Sequence, residues 1–203
     1  MIYVRIIDTK NLISADIPEL IRSLPFGKAE ADRLLALKEG KRQLESLGAL
    51  VALRDILKSN EISSEIARNS ENGKPYFTDS SMPHFSLAHS CGICAAAVAD
   101  TEVGIDIELI KRTPRKQELA KRFFTADERR QLEDANTDEN FLLIWTQKES
   151  LVKLHGASLA CSLQNSLPDA KRVFSGVIDV EKNRLAVTVY SASDSDISIS
   201  VAN

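Results

Sequence analysis

The chain has 203 residues, 43% of them hydrophobic, which suffices for one large domain or two small ones. A formal net charge of −3 excludes a global electrostatic bias toward nucleic acid. Three cysteines, an odd number in a chain this long, argue against a disulfide framework and for a reducing compartment.

In chain order, "MIYVRIIDTK" alternates like a strand and lacks the basic start, apolar middle and small-residue cleavage site of a signal peptide. No apolar run approaches the roughly 18 residues a bilayer span needs. The expectation is a soluble, cytoplasmic protein with no membrane partner. Pro18 to Ser59 reads as helix-rich. Within it Leu44, Leu47, Leu50, Val51, Leu53 and Leu57 cover about half of one helical circumference at 3.6 residues per turn. "RNSENGKPYFTDSSMP" reads as loop with a short extended piece. "HFSLAHSCGICAAAVAD" predicts an extended segment, a turn and a buried strand of small residues, and "VGIDIELI" a further strand. The basic stretch "KRTPRKQELAKR" follows. Two helices come next, one with Thr125 as N-cap and Glu128 completing a capping box, one over "DENFLLIWTQKESLVKLHG" stopped by Gly156. "RVFSGVIDV", "RLAVTVYSAS" and "DISISVAN" alternate like antiparallel strands. The class predicted is α+β. A boundary near Asp100 to Val103 divides it into lobes 1–101 and 102–203.

Two motifs carry possible chemistry. On a strand, residues two apart face the same way, about 6.6 Å apart. Asp106 and Glu108 of "GIDIE" therefore share a face, as a wet acidic surface or as a ligand pair. In the second motif Glu149 interrupts the apolar stripe of Leu142, Trp145 and Val152. It either pairs with Lys153 at i,i+4 on the surface or turns inward and needs a cation. Three carboxylates make a hard, all-oxygen set suited to Mg²⁺, with Lys148 and Lys153 able to hold phosphate charge. "CGIC" invites a redox or zinc reading, but only His89, Cys91 and Cys94 lie together and a tetrahedral zinc needs about four ligands; packing is the simpler role. Cys161 has no neighbouring partner in sequence and reads as inert.

"GIDIE", followed some forty residues later by "WTQKESLVK", resembles the signature pair of the 4'-phosphopantetheinyl transferase superfamily, in its longer, monomeric Sfp-like class. "NGKPYF", "HFSLAHS" and "RFFTADE" resemble three further elements of that class, in the same order. The resemblance implies two similar α+β lobes related by a pseudo-twofold, with coenzyme A between them. It implies Mg²⁺-dependent transfer of the phosphopantetheine arm from coenzyme A to a serine of an apo carrier protein, releasing adenosine 3',5'-bisphosphate. By the same match Asp106, Glu108 and Glu149 ligate Mg²⁺ (Mn²⁺ being the alternative). Lys74, His89, Asp106, Lys148 and Lys153 hold the coenzyme. Lys153 assists the leaving group, and Glu128 or Glu149 takes the serine proton. Lys28, Lys38, Lys41 and Arg42 are the candidates for the coenzyme's 3'-phosphate.

Two positions depart from the family pattern. Ser86 stands where Asn is usual, and Ala88, where Ser is usual, has no hydroxyl to offer a phosphate. The basic stretch is either a solvated face or a surface for an acidic carrier protein, with no aromatic residues to suggest nucleic acid. Two other functions use the same residues: a Mg²⁺-dependent nucleotide or pyrophosphate hydrolase, and a carrier-binding homologue without activity. With both lobes on one chain, a monomer is expected.

Overall fold

The computed structural model describes residues 1–12, 15–57, 64–157 and 170–202. In order the elements are β1 (Ile2–Asp8), a 3-10 turn (Thr9–Leu12), α1 (Ile17–Arg22), α2 (Lys28–Leu35) and α3 (Lys41–Leu57). Then come β2 (Ile66–Arg68), β3 (Pro75–Phe77), β4 (His84–Ser90), β5 (Ile93–Ala99) and β6 (Val103–Leu109). The rest is α4 (Lys116–Phe123), α5 (Ala126–Asp134), α6 (Asp138–His155), β7 (Lys171–Val180), β8 (Asn183–Ser191) and β9 (Ile197–Val201). This is the expected α+β class. One sheet runs β4-β5-β1-β9, another β6-β8-β7, and β2-β3 form a separate ribbon. No helix among the described residues is long and apolar enough to cross a membrane.

The run of small residues in β5 follows from its position between two layers. Every residue of β5 is buried. Cys94, Ala96 and Val98 face the core under α3, whereas Ile93, Ala95, Ala97 and Ala99 face the core shared with the second sheet. This is the period of two expected of a strand covered on both faces. Helix α3 comes close because Gly48 meets β5: a Cβ there would lie 2.7 Å from the Cys94 Sγ. Cys94 is therefore a packing residue, its thiol pushed up to about 12 by burial and by the nearby Glu45 and Asp8 carboxylates. Cys91 begins the tight turn after β4 at φ 52°, with Gly92 next at φ 90°. Both thiols are free, and among the described residues they belong to no group of three His, Cys, Asp or Glu side chains that could hold a metal ion.

The two sheets meet along β4 and β6 without a ladder. Ile105 N–H donates to the Ser86 Oγ at 3.1 Å, and Leu109 N–H to the Ser90 Oγ at 3.2 Å. Side-chain hydroxyls thus satisfy backbone donors on the edge of β6 that β8 does not use. Ser86, one of the departures from the family pattern, has this structural task. Ala88, on the same face of β4, is 2% exposed in the shared core, where a hydroxyl would be buried rather than turned to a ligand.

Two expectations, for the last strand and for the buried face of α6, are corrected by the structure. The last strand is not part of an antiparallel set with β7 and β8: β9 pairs parallel with β1, Ile2 opposite Ile197, in the first sheet. The basic stretch keeps an exposed face, with Lys111, Arg112, Arg115, Lys121 and Arg122 all exposed, while its helix α4 buries Ala120 against α6 and the following Phe124 stacks on Phe141 at 5.2 Å between ring centroids. The buried face of α6 includes Thr146 and Ser150, both fully buried, while Trp145 and Glu149 lie at its margin, half-buried. Thr146 shares its hydroxyl with Thr188 of β8 at 2.9 Å, and the Ser150 Oγ donates to the Thr146 carbonyl at 2.6 Å, so neither polar group is left alone. Cys161 lies outside the described residues.

Candidate functional site

Local chemistry fixes both elements that carry the acids. Helix α6 starts at Thr137, whose side chain accepts the Asn140 N–H, and ends at Gly156 in the left-handed region at φ 61°. Strand β6 lies directly against it at Gly104. A Cβ on Gly104 would sit 2.0 Å from the Ser150 carbonyl oxygen and 2.7 Å from the Leu154 nitrogen. The glycine of "GIDIE" is thus the contact point that brings the strand acids and the helix residues together.

Asp106 is 6% exposed. Its Oδ1 accepts from Lys153 Nζ at 2.7 Å, and its Oδ2 is buried with no hydrogen-bond partner. Burial pushes the Asp106 carboxyl above its ordinary range, against the pull of Lys153. Glu108 accepts from Ser90 Oγ at 2.6 Å; burial raises its pKa, with Asp106 adding to the rise and Ser90 opposing it. The Glu149 side chain, at the margin of α6, has no hydrogen bond or ion pair to any described residue. Burial and then the Asp106 charge raise its pKa, Lys153 opposes them, and Glu108 adds a smaller rise. Glu108 and Glu149 therefore both feel the charge of Asp106. They do not close into a ready cage: among the described residues no three His, Cys, Asp or Glu side chains form a group that could hold a metal ion. The i,i+4 pairing of Glu149 with Lys153 does not form, because Lys153 turns to Asp106.

Beside these acids a cleft of about 310 Å³ is walled by α2, α3, the β2–β3 ribbon, β4 and α6. Lys74, His89 and Lys153 all line it. Lys74 crosses from the ribbon to the end of α6, donating to the Leu154 carbonyl at 2.8 Å and pairing with Glu102. His89 presents Nδ1 to Glu45 at 3.5 Å. Burial holds its pKa below the usual histidine range, although Glu45 pulls the other way. Glu45 is in turn fixed by the Gly92 N–H at 2.7 Å.

Two predicted residues pair elsewhere. Lys148 Nζ lies 3.0 and 2.9 Å from the two oxygens of Glu128, and one of those oxygens also accepts the Thr125 N–H at 2.6 Å, completing the capping box. Neither Lys148 nor Glu128 lines the cleft. Lys28, Lys38, Lys41 and Arg42 are exposed and likewise absent from its walls. In their place stand Arg33 and Arg68, which the sequence reading passed over. The one local signal is the i,i+3 spacing of Glu30 and Arg33 on α2; Arg68 comes from a three-residue strand that periodicity cannot reveal.

The donor chemistry fits a hard divalent ion. Asp106 offers an unpartnered buried oxygen, all three acids supply oxygen alone, and Mg²⁺ usually takes only one or two carboxylates alongside waters and phosphate.

A family profile for the 4'-phosphopantetheinyl transferase superfamily matches residues 102–198. The 4'-phosphopantetheinyl transferase psf-1 of Bacillus pumilus is 34% identical over 165 residues, 78% of this chain and 69% of that protein. The 4'-phosphopantetheinyl transferase Sfp of Bacillus subtilis strain 168 is 37% identical over 98 residues, 47% of this chain and 43% of its own length. AcpT of Salmonella typhimurium, also a 4'-phosphopantetheinyl transferase, is 35% identical over 109 residues, 51% of this chain and 57% of that protein. The match thus spans more than two thirds of psf-1 and about half of the other two.

Proposed function

The chain belongs to the 4'-phosphopantetheinyl transferase superfamily, and from that premise we propose that it moves the phosphopantetheine arm of coenzyme A onto a serine of an apo carrier protein. The observation that carries this reading is the convergence of Lys74, His89 and Lys153, from three separate sequence motifs, on one cleft beside Asp106.

The serine oxygen forms a bond to the phosphorus that carries the pantetheine arm, the bond from that phosphorus to the bridging pyrophosphate oxygen breaks, and adenosine 3',5'-bisphosphate leaves with the electron pair. Asp106, Glu108 and Glu149 would hold Mg²⁺, which when bound neutralises charge on the pyrophosphate oxygens. Lys153 is within reach of both Asp106 and the cleft, so its ammonium can follow the charge that grows on the leaving phosphate. Lys74 and His89, which line the same cleft, hold further phosphate oxygens. The serine proton goes to a carboxylate. The oxygens of Glu128 already accept from Lys148 and from the Thr125 N–H, so Glu149, whose side chain has no such partner among the described residues, is the better acceptor. Lys148 then acts by fixing Glu128 and helix α5 rather than by touching phosphate.

The test mixes the protein with coenzyme A, Mg²⁺ and a panel of apo carriers from fatty acid, polyketide and nonribosomal peptide systems, read by mass spectrometry. A phosphopantetheine increment on carrier serine is expected. Cleavage of coenzyme A without a carrier, and no increment with one, would favour a hydrolase instead.

A further inference from the structure

A second cavity, of about 380 Å³, opens on the first sheet between β1, β9 and the last turns of α3, and shares no residue with the cleft. Its floor follows from strand alternation. Val4 and Ile6 are buried in the core shared with the second sheet, so Tyr3 and Arg5 take the other face of β1. In the parallel register Tyr3 lies opposite Ser198 and Arg5 opposite Ser200, while on its other side Arg5 is flanked by the small Ala96 of β5. The Tyr3 ring stays 49% exposed.

The charges in this cavity do not balance. Asp55 lines it, but the Arg54 guanidinium already donates to the Asp55 Oδ1, from Nε at 3.0 Å and from Nη2 at 2.8 Å. Arg5 has no such acid: among the described residues its buried Nε has no hydrogen-bond partner. Buried donors without an acceptor are uncommon in folded proteins. Arg5 as a whole is half-buried and lines the cavity, so the guanidinium can meet a ligand there. The Ser200 hydroxyl is engaged, donating to the Val4 carbonyl at 3.1 Å, whereas Ser198 is exposed and its hydroxyl can donate.

We infer that this cavity binds a small organic monocarboxylate, its oxygens received by Arg5 and the Ser198 hydroxyl and its carbon body laid against the Tyr3 ring. One uncompensated guanidinium matches one negative charge and the planar fork of a carboxylate. A phosphomonoester, with close to two charges, would keep one unpaired. The volume falls within the range of small-ligand sites. This site is independent of the transferase reading and stands whether or not transfer is found.

The experiment titrates the full chain with benzoate and with benzamide, its uncharged analogue, and follows the backbone amides by heteronuclear NMR. Benzoate should shift the amides of residues 3–5 and 198–200 saturably. It should bind at least about tenfold more tightly than benzamide, the scale of a hydrogen bond to a charged group. Arg5→Gln should weaken benzoate by about the same factor. Ser198→Ala, an exposed change on the edge strand, should weaken it less, and keeps the test decisive if the first variant does not fold. Four results would each overturn the inference: equal affinity for benzoate and benzamide, tighter binding of inorganic phosphate at these residues, shifts confined to other parts of the chain, or an undiminished benzoate affinity in the folded variants.

Discussion

Glu30 and Asp106 are two carboxylates buried to nearly the same depth, 3% and 6% exposed, with opposite electrostatic outcomes. Burial pushes Glu30 up, but hydrogen bonds from Arg33 and Arg68 outweigh it, so its pKa falls below the usual carboxylate range. Burial also pushes Asp106 up, and there a single lysine on one oxygen does not compensate. The difference lies in the partners, not in the depth. A carboxylate with its acceptors filled strengthens the fold; one with an unfilled oxygen and two acids nearby is held against its own preference. Such a group is where a fold gives up stability for chemistry.

The comparison breaks most readily at Glu149. Glu149→Gln should lower transfer at least about a hundredfold, the scale of losing a catalytic proton acceptor, read as modified carrier in single-turnover mass spectrometry. The same variant should melt no lower than the unmodified chain. Because the folded-state pKa of Glu149 is raised, the folded chain keeps its proton where the unfolded chain has lost it. That contribution to stability is present below pH 4.5 and is lost as pH rises through the folded value. Melting curves from pH 4 to 8 should therefore show the glutamine variant gaining on the parent as pH rises.

Next in size is Gly104→Ala. Its Cβ would meet backbone atoms of α6 that cannot rotate away, so strand and helix must separate. A loss of about 3 kcal/mol or more is expected in urea unfolding, toward the upper end of overpacking costs, with transfer falling as the acids move off the lysines. Near-parental stability and activity would remove Gly104 as the contact point of the site.

Glu30→Gln sharpens the contrast from the other side. It should cost about 1–3 kcal/mol at neutral pH, the range for a buried hydrogen-bonded charge losing its role. The sign with pH is opposite to that of Glu149. The folded pKa is depressed, so the stabilisation is present above pH 4.5 and disappears as pH falls through the folded value. Parent and variant should thus converge in acid. The smallest effect belongs to Thr125→Ala, which removes one side of the capping box at an expected cost of about 1 kcal/mol. Transfer should fall no further than the lost stability explains; a larger drop would show that Glu128 contributes more than a helix cap and a lysine partner.

Much of this was legible in the residues. The two periodicities marked α3, β1, β5 and β6 because tertiary packing there follows the local pattern. The capping signals at Thr125 and Gly156 are local hydrogen-bond chemistry and hold in the fold. The acids of "GIDIE" announced themselves as charges in an apolar strand, as did Glu149 in helix α6. What escaped depends on partners distant in sequence. The parallel pairing of β9 with β1 leaves the alternation of "DISISVAN" unchanged, since period two does not encode direction or neighbour. Ser86 and Ser90 serve backbone groups nineteen residues away. Arg68 reaches Glu30 across 38 residues from a strand too short to show any period.

The strand order carries a consequence for how the chain is made. Ile2 to Ile6 lie between β5 and β9, and the Ile2 N–H donates to the Asp196 carbonyl at 2.8 Å. The first sheet therefore waits for residues 197–201 to emerge from the ribosome before its outer rim is covered, leaving the rim of β1 open to other chains meanwhile. Severing the chain at residue 101 would part β1 from that cover, so the halves on either side of the cleft are unsuited to separate production.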